Sequence, residues 1–113
     1  MTGPFPLPIM PAMPLVRVAK KDDIQDGYGK ACRAGEKTVA IFKCGEAYYA
    51  TENRCPHRGG PLSEGDLTGT VVTCPWHGWQ FDVTNGQNPQ HAEMKVATYP
   101  VSLDGDDVCV EMP

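Results

Sequence analysis

From Leu15 onward the chain places apolar residues in short alternating runs, and no stretch sustains a helical period. "LVRVA" at 15–19 alternates and predicts a first strand. "KTVAIFKC" at 37–44 and "AYYATEN" at 47–53 are rich in β-branched and aromatic residues, which predicts a hairpin turning at Gly45-Glu46. "GTVVTC" at 69–74 and "WQFDV" at 79–83 predict two more strands, the second ending in a Thr84-Asn85-Gly86 turn. "KVATYPVSL" at 95–103 and "VCVEM" at 108–112 flank the hairpin signal "DGDD". The polar, glycine-marked residues 21–36 predict turns around one short irregular element. Short strands separated by turn signals predict an all-β sandwich or barrel.

Two stretches interrupt this pattern with the same opening. "CPHRGGPL" begins at Cys55 and "CPWHGWQF" at Cys74, and each follows a strand candidate. Both carry Gly and Pro, so both are predicted as loops at strand ends, where a rigid sheet presents functional groups. Together they set Cys55, His57, Cys74 and His77 in the spacing C-x-H-x16-C-x2-H.

Composition narrows what these loops serve. At 113 residues the chain has the length of one domain. A formal charge of −4 argues against nucleic acid or an anionic membrane surface as the main partner. No apolar run approaches the ~20 residues that span a bilayer. Residues 1–14 contain five prolines, lack a basic flank and do not read as a secretory signal. They are expected to form an extended, polyproline-like arm ahead of a single domain at 15–113, whose two loops lie at about 54–82. Five cysteines without such a signal argue against a disulfide framework and for a reducing cytoplasm. Cys32, Cys44 and Cys109 are expected to be small apolar or partly buried thiols, and His91 a surface residue.

Two thiolates and two imidazoles suit a transition metal, not magnesium or calcium. Three chemistries use such groups. A single zinc ion would take all four as a tetrahedral structural site, although Cys55 and His57, one residue apart, chelate one small ion awkwardly. A cysteine–histidine nucleophile pair would use only one member of each type. A two-iron, two-sulfur cluster would divide them, with the cysteines on one iron and the histidines on the other.

Residues 55–87, "CPHRGGPLSEGDLTGTVVTCPWHGWQFDVTNGQ", resemble the cluster-binding segment of Rieske proteins, and more narrowly that of the Rieske-type ferredoxins of bacterial ring-hydroxylating dioxygenase systems. The likeness runs over about residues 36–112. It implies the Rieske fold, a β-sandwich base with a small two-loop cluster-binding subdomain, and one [2Fe-2S] cluster. Cys55 and Cys74 would hold the inner iron, and His57 and His77 the outer iron near the surface. Gly59, Gly60 and Gly78 match positions where backbone approaches the cluster, and Pro61 and Pro75 would stiffen the loops. Trp76, between two ligands, would shield the cluster or meet a partner, while Trp79 and Phe81 are expected to pack inward.

The resemblance further implies a soluble, non-enzymatic one-electron carrier, taking electrons from a flavoprotein reductase and giving them to a terminal oxygenase. Departures from the respiratory Rieske pattern refine this. Gly60 and Trp76 stand where those proteins have a bridging pair of cysteines, and Trp79 and Phe81 where they have Ser and Tyr hydroxyls. Fewer hydrogen bonds to the cluster sulfurs imply a potential near the low end of the ~ −150 to +300 mV Rieske range, falling as pH rises through the histidine ionisations. With His91 the only further histidine, the chain is not expected to carry the mononuclear iron site of an oxygenase large subunit. Arg54, Arg58, Glu64 and Asp66 are either solvated surface or a docking rim. Two other readings remain: the small Rieske subunit of a larger reductase such as a nitrite reductase, and a zinc-stabilised adaptor module.

Overall fold

The structure, a computed structural model, describes residues 15–55, 59–76 and 78–112. The expected proline-rich arm lies outside them, as do His57, Arg58 and His77. Ten strands follow one another among the described residues: β1 Leu15–Lys20, β2 Gly29–Ala34, β3 Lys37–Cys44, β4 Ala47–Glu52, β5 Asp66–Thr68, β6 Val71–Thr73, β7 Gln80–Asp82, β8 Thr98–Tyr99, β9 Val101–Asp104 and β10 Asp107–Glu111. All pairings are antiparallel. They form three sheets, ordered β1-β10-β9, β2-β3-β4-β8 and β5-β6-β7.

β3 organises the molecule. Its run Val39-Ala40-Ile41-Phe42 is wholly buried, which is how a strand covered on both faces reads in sequence. Val39 and Ile41 face one core, shared with Tyr48 and Ala50 of β4 and Val108 and Val110 of β10. That core joins the first two sheets into a sandwich. Ala40 and Phe42 face the opposite way, into a second core with Leu62, Val72, Phe81, Val83 and Val96. The second core seats the small β5-β6-β7 sheet on the sandwich. Burying each large apolar side chain of β3 stabilises the fold by roughly 1.5–3 kcal/mol.

The β3–β4 hairpin turns at Gly45-Glu46 as expected, with Gly45 at φ 64. Two expectations change. Residues 29–34 form a full strand, β2, where turns were expected; it pairs with β3 from Gly29↔Phe42 to Ala34↔Lys37. Its alternation is weak in sequence because only Cys32 and Ala34 are deeply buried. The run 95–103 is not one strand. It changes sheets at Pro100, so that β8 pairs with β4 and β9 with β10. Proline cannot donate to a ladder, and the chain bends there.

Candidate metal centre

Cys55 and Cys74 are each 1% exposed and belong to the same apolar cluster, the second core. Their two loops share one backbone frame. The Cys55 amide donates to the Gly60 carbonyl at 2.8 Å, and the Gly59 amide donates back to the Cys55 carbonyl at 2.6 Å. In the second loop the Cys74 amide donates to the Trp79 carbonyl at 2.7 Å, and the Gly78 amide donates to the Cys74 carbonyl at 3.0 Å. Each frame turns on a left-handed glycine, Gly59 at φ 77 and Gly78 at φ 75. A side chain there would cost roughly 1–2 kcal/mol, which accounts for glycine at both positions. The sequence repeat C-P is thus a structural repeat, with histidine at the third position of one loop and the fourth of the other.

Each loop is fixed from below. At the neck of the first, the Asn53 side-chain carbonyl accepts from the Ser63 amide at 2.7 Å, joining the end of β4 to the 3-10 turn Leu62–Glu64. Glu52 Oε2 accepts from the Ala97 amide at 2.7 Å and anchors the same end of β4. The second loop rises from β6 and re-enters β7, where Val72 and Phe81 pair directly and are both fully buried. Gln80 Nε2 donates to Thr73 Oγ1 at 3.3 Å across that pair. Beyond β7, Gly86 is left-handed at φ 80, and a Cβ on it would collide with the Val96 carbonyl.

The remaining singled-out residues differ in burial. Trp76 is 56% exposed, Phe81 is fully buried, and Trp79 is half-buried against the second core. Pro61 precedes the 3-10 turn and Pro75 opens the turn after Cys74. His91 is exposed on the surface. Cys32 is buried, and Cys44 and Cys109 are partly so; these three and Cys74 form no disulfide. Burial pushes the Cys32 and Cys44 thiols up, which disfavours the thiolate a metal needs. Arg54, Glu64 and Asp66 are exposed, and the Arg54 side chain folds along the first loop: a Cβ at Gly59 would sit 3.3 Å from Arg54 Nε. A polar cleft of about 190 Å³ beside the second loop, lined by Gly78, Gln80, Asn88 and His91, is below the ~300 Å³ of the smallest ordinary ligand pockets.

Asn53 is a structural residue of the site that its sequence position did not reveal, because it reads as the end of a strand. The available signal was an asparagine next to a Pro/Gly-rich loop, where its amide commonly caps backbone.

The model of the Rieske [2Fe-2S] domain matches residues 15–100. The chain is 33% identical over 94 residues to the ferredoxin component of the naphthalene 1,2-dioxygenase/salicylate 5-hydroxylase systems of a Ralstonia species, covering 80% of this chain and 88% of that one. The structure is similar to the ferredoxin of carbazole 1,9a-dioxygenase from Nocardioides aromaticivorans IC177, with a TM-score of 0.80, 29% identity and coverage of 88% and 98% of the two chains. It is also similar to a chain of a complex of reduced oxygenase and oxidised ferredoxin in carbazole 1,9a-dioxygenase, with a TM-score of 0.76, 32% identity and coverage of 86% and 92%.

Proposed function

The chain belongs to the Rieske [2Fe-2S] domain family, and on that premise we propose that it carries single electrons from a flavoprotein reductase to a terminal, ring-hydroxylating oxygenase. The observation that supports this most is the pair of thiols, Cys55 and Cys74, buried in one apolar core at the starts of two loops with the same backbone frame. The relatives are named as ferredoxin components of oxygenase systems, and one similar chain was solved bound to its oxygenase.

The donor set fits the cluster. Cys55 and Cys74 would hold the iron that faces the core, and His57 and His77 the iron that faces out. Two frames offset by one residue in histidine position let each loop serve both irons, whereas a single zinc would have to accept Cys55 and His57 at once. When bound, the cluster takes up and gives back one electron without a change of covalent partners.

The chain's own residues set the conditions for that exchange. Leu62, Val72 and Phe81 keep water from the thiolates, so their charge is felt in a low dielectric. The frame bonds around both cysteines hold the loops still, which limits rearrangement when the charge changes. Phe81 and Trp79 add no hydroxyl near the sulfurs, in keeping with a low potential suited to a flavin donor. Exposed Arg54, Glu64 and Asp66 offer a mixed rim for docking around the first loop. Among the described residues no helix is long and apolar enough to cross a membrane. Reduced thiols and the flavin donor together favour a cytoplasmic setting.

The test is anaerobic. The purified protein should accept one electron per chain from NADH through a flavoprotein reductase of such a system, then lose it on mixing with the terminal oxygenase. Reduction by dithionite without any transfer to the oxygenase would reject the proposed role while leaving the cluster in place.

A further inference from the structure

We propose that Trp76 is a clasp: its ring lies across Gly60 and locks the second ligand loop onto the first, sealing the Cys74 sulfur. The inference rests on the cluster reading above but concerns retention of the cluster, not electron transfer.

Three observations support it. A Cβ built on Gly60 would stand 3.0 Å from both Cγ and Cδ2 of Trp76, so the indole lies directly on the Gly60 backbone. The same Cβ would stand 2.9 Å from Cys74 Sγ, so backbone of the first loop also covers the sulfur of the second. Gly60 itself is fixed, because its carbonyl accepts from the Cys55 amide at 2.8 Å. Ring and sulfur therefore meet the same face of Gly60, and the two loops join there.

The exposure values point the same way. Trp76 is 56% exposed, yet Cys74, two residues before it, is 1% exposed. A large ring left half in water and laid on a glycine gains little as core packing. Its contact closes the seam between the two loops. The glycine is required at position 60 because any side chain would displace the ring, the sulfur or both. Glycine there and tryptophan at 76 are thus a matched pair.

The metal-loaded protein provides the test. Iron release to an excess of a ferrous or ferric chelator is followed by the loss of visible absorption, for wild type, Trp76→Ala, Trp76→Phe and Gly60→Ala. Iron and sulfide analysis of the wild type first confirms loading, so failure of the cluster reading is seen separately. Trp76→Ala should release iron on the order of tenfold faster, as expected from losing an aromatic contact. Trp76→Phe should restore most of the retention, and Gly60→Ala should behave like Trp76→Ala. Release at the wild-type rate from Trp76→Ala would overturn the proposal. If Trp76→Ala does not load, Gly60→Ala and Trp76→Phe decide: wild-type release from Gly60→Ala overturns the clasp, and faster release from it that Trp76→Phe does not share supports it.

Discussion

Replacing Asn53 by Ala removes the acceptor that holds Ser63 at the neck of the first loop. The bond is short, 2.7 Å, and Ser63 is only 7% exposed, so its amide would lose its partner in a place with little access to water. Leaving a buried donor unsatisfied costs about 1–3 kcal/mol. For a domain of this size each kcal/mol moves the midpoint of thermal unfolding by about 4 °C. Asn53→Ala should therefore unfold about 8 °C below wild type, at the middle of that range. Asn53→Asp keeps an acceptor at the same place and should recover most of the loss. The assay is far-UV circular dichroism on metal-loaded protein, because cluster binding and folding are linked. The same variant should release iron faster, since Asn53 and Ser63 bracket the loop of Cys55 and His57. A midpoint within about 1 °C of wild type for Asn53→Ala would overturn this, because it would mean the Ser63 amide loses nothing when its acceptor is removed.

Further outcomes follow from other contacts. Cys74→Ala should abolish iron binding while leaving the strand content of the sandwich visible by circular dichroism, since the first core does not include it. Gly86→Ala combines a left-handed backbone with a collision against the Val96 carbonyl and should lower the unfolding midpoint by about 8 °C or more, read in the same melt. Burial pushes the Asp82 carboxyl up, but bonds from the Thr84 hydroxyl and amide and from Thr70 more than offset it, leaving it below its usual value. A depressed carboxyl stabilises the fold above its ordinary range and loses that contribution as pH falls through the lowered value. Asp82→Asn should flatten this acid limb in a pH series of melts, and an unchanged acid limb would count against the assignment. Arg54→Gln removes an exposed cation lying along the first loop and should shift the one-electron equilibrium toward the oxidised state by roughly threefold, ~30 mV where tenfold is ~59 mV, with Arg54→Lys close to wild type.

Much of the architecture was legible because burial and periodicity agree. The β3–β4 hairpin combines β-branched residues with a glycine turn, while the burial of β3 on both faces, carried by its run Val39-Ala40-Ile41-Phe42, emerged only in the structure. β2 was hidden because Lys30, on the same face as buried Cys32 and Ala34, is exposed, and Ala31 on the other face is apolar, which blurs alternation; only pairing with β3 defines it. The break at Pro100 was visible as a proline, but which sheet each half joins is a tertiary fact. At the site, the Cys/His spacing carried the chemistry and the likeness to a family. The Asn53 neck bond and the Trp76–Gly60 stack join residues 10 and 16 positions apart, and no local pattern encodes them.

A [2Fe-2S] cluster that stores one electron is checked by quantifying iron, acid-labile sulfide and zinc in purified protein and recording low-temperature EPR before and after dithionite. The expected result is two irons and two sulfides per chain, negligible zinc, and a paramagnetic signal that develops only on reduction, as one added electron requires. One zinc per chain with no iron and no signal would contradict it.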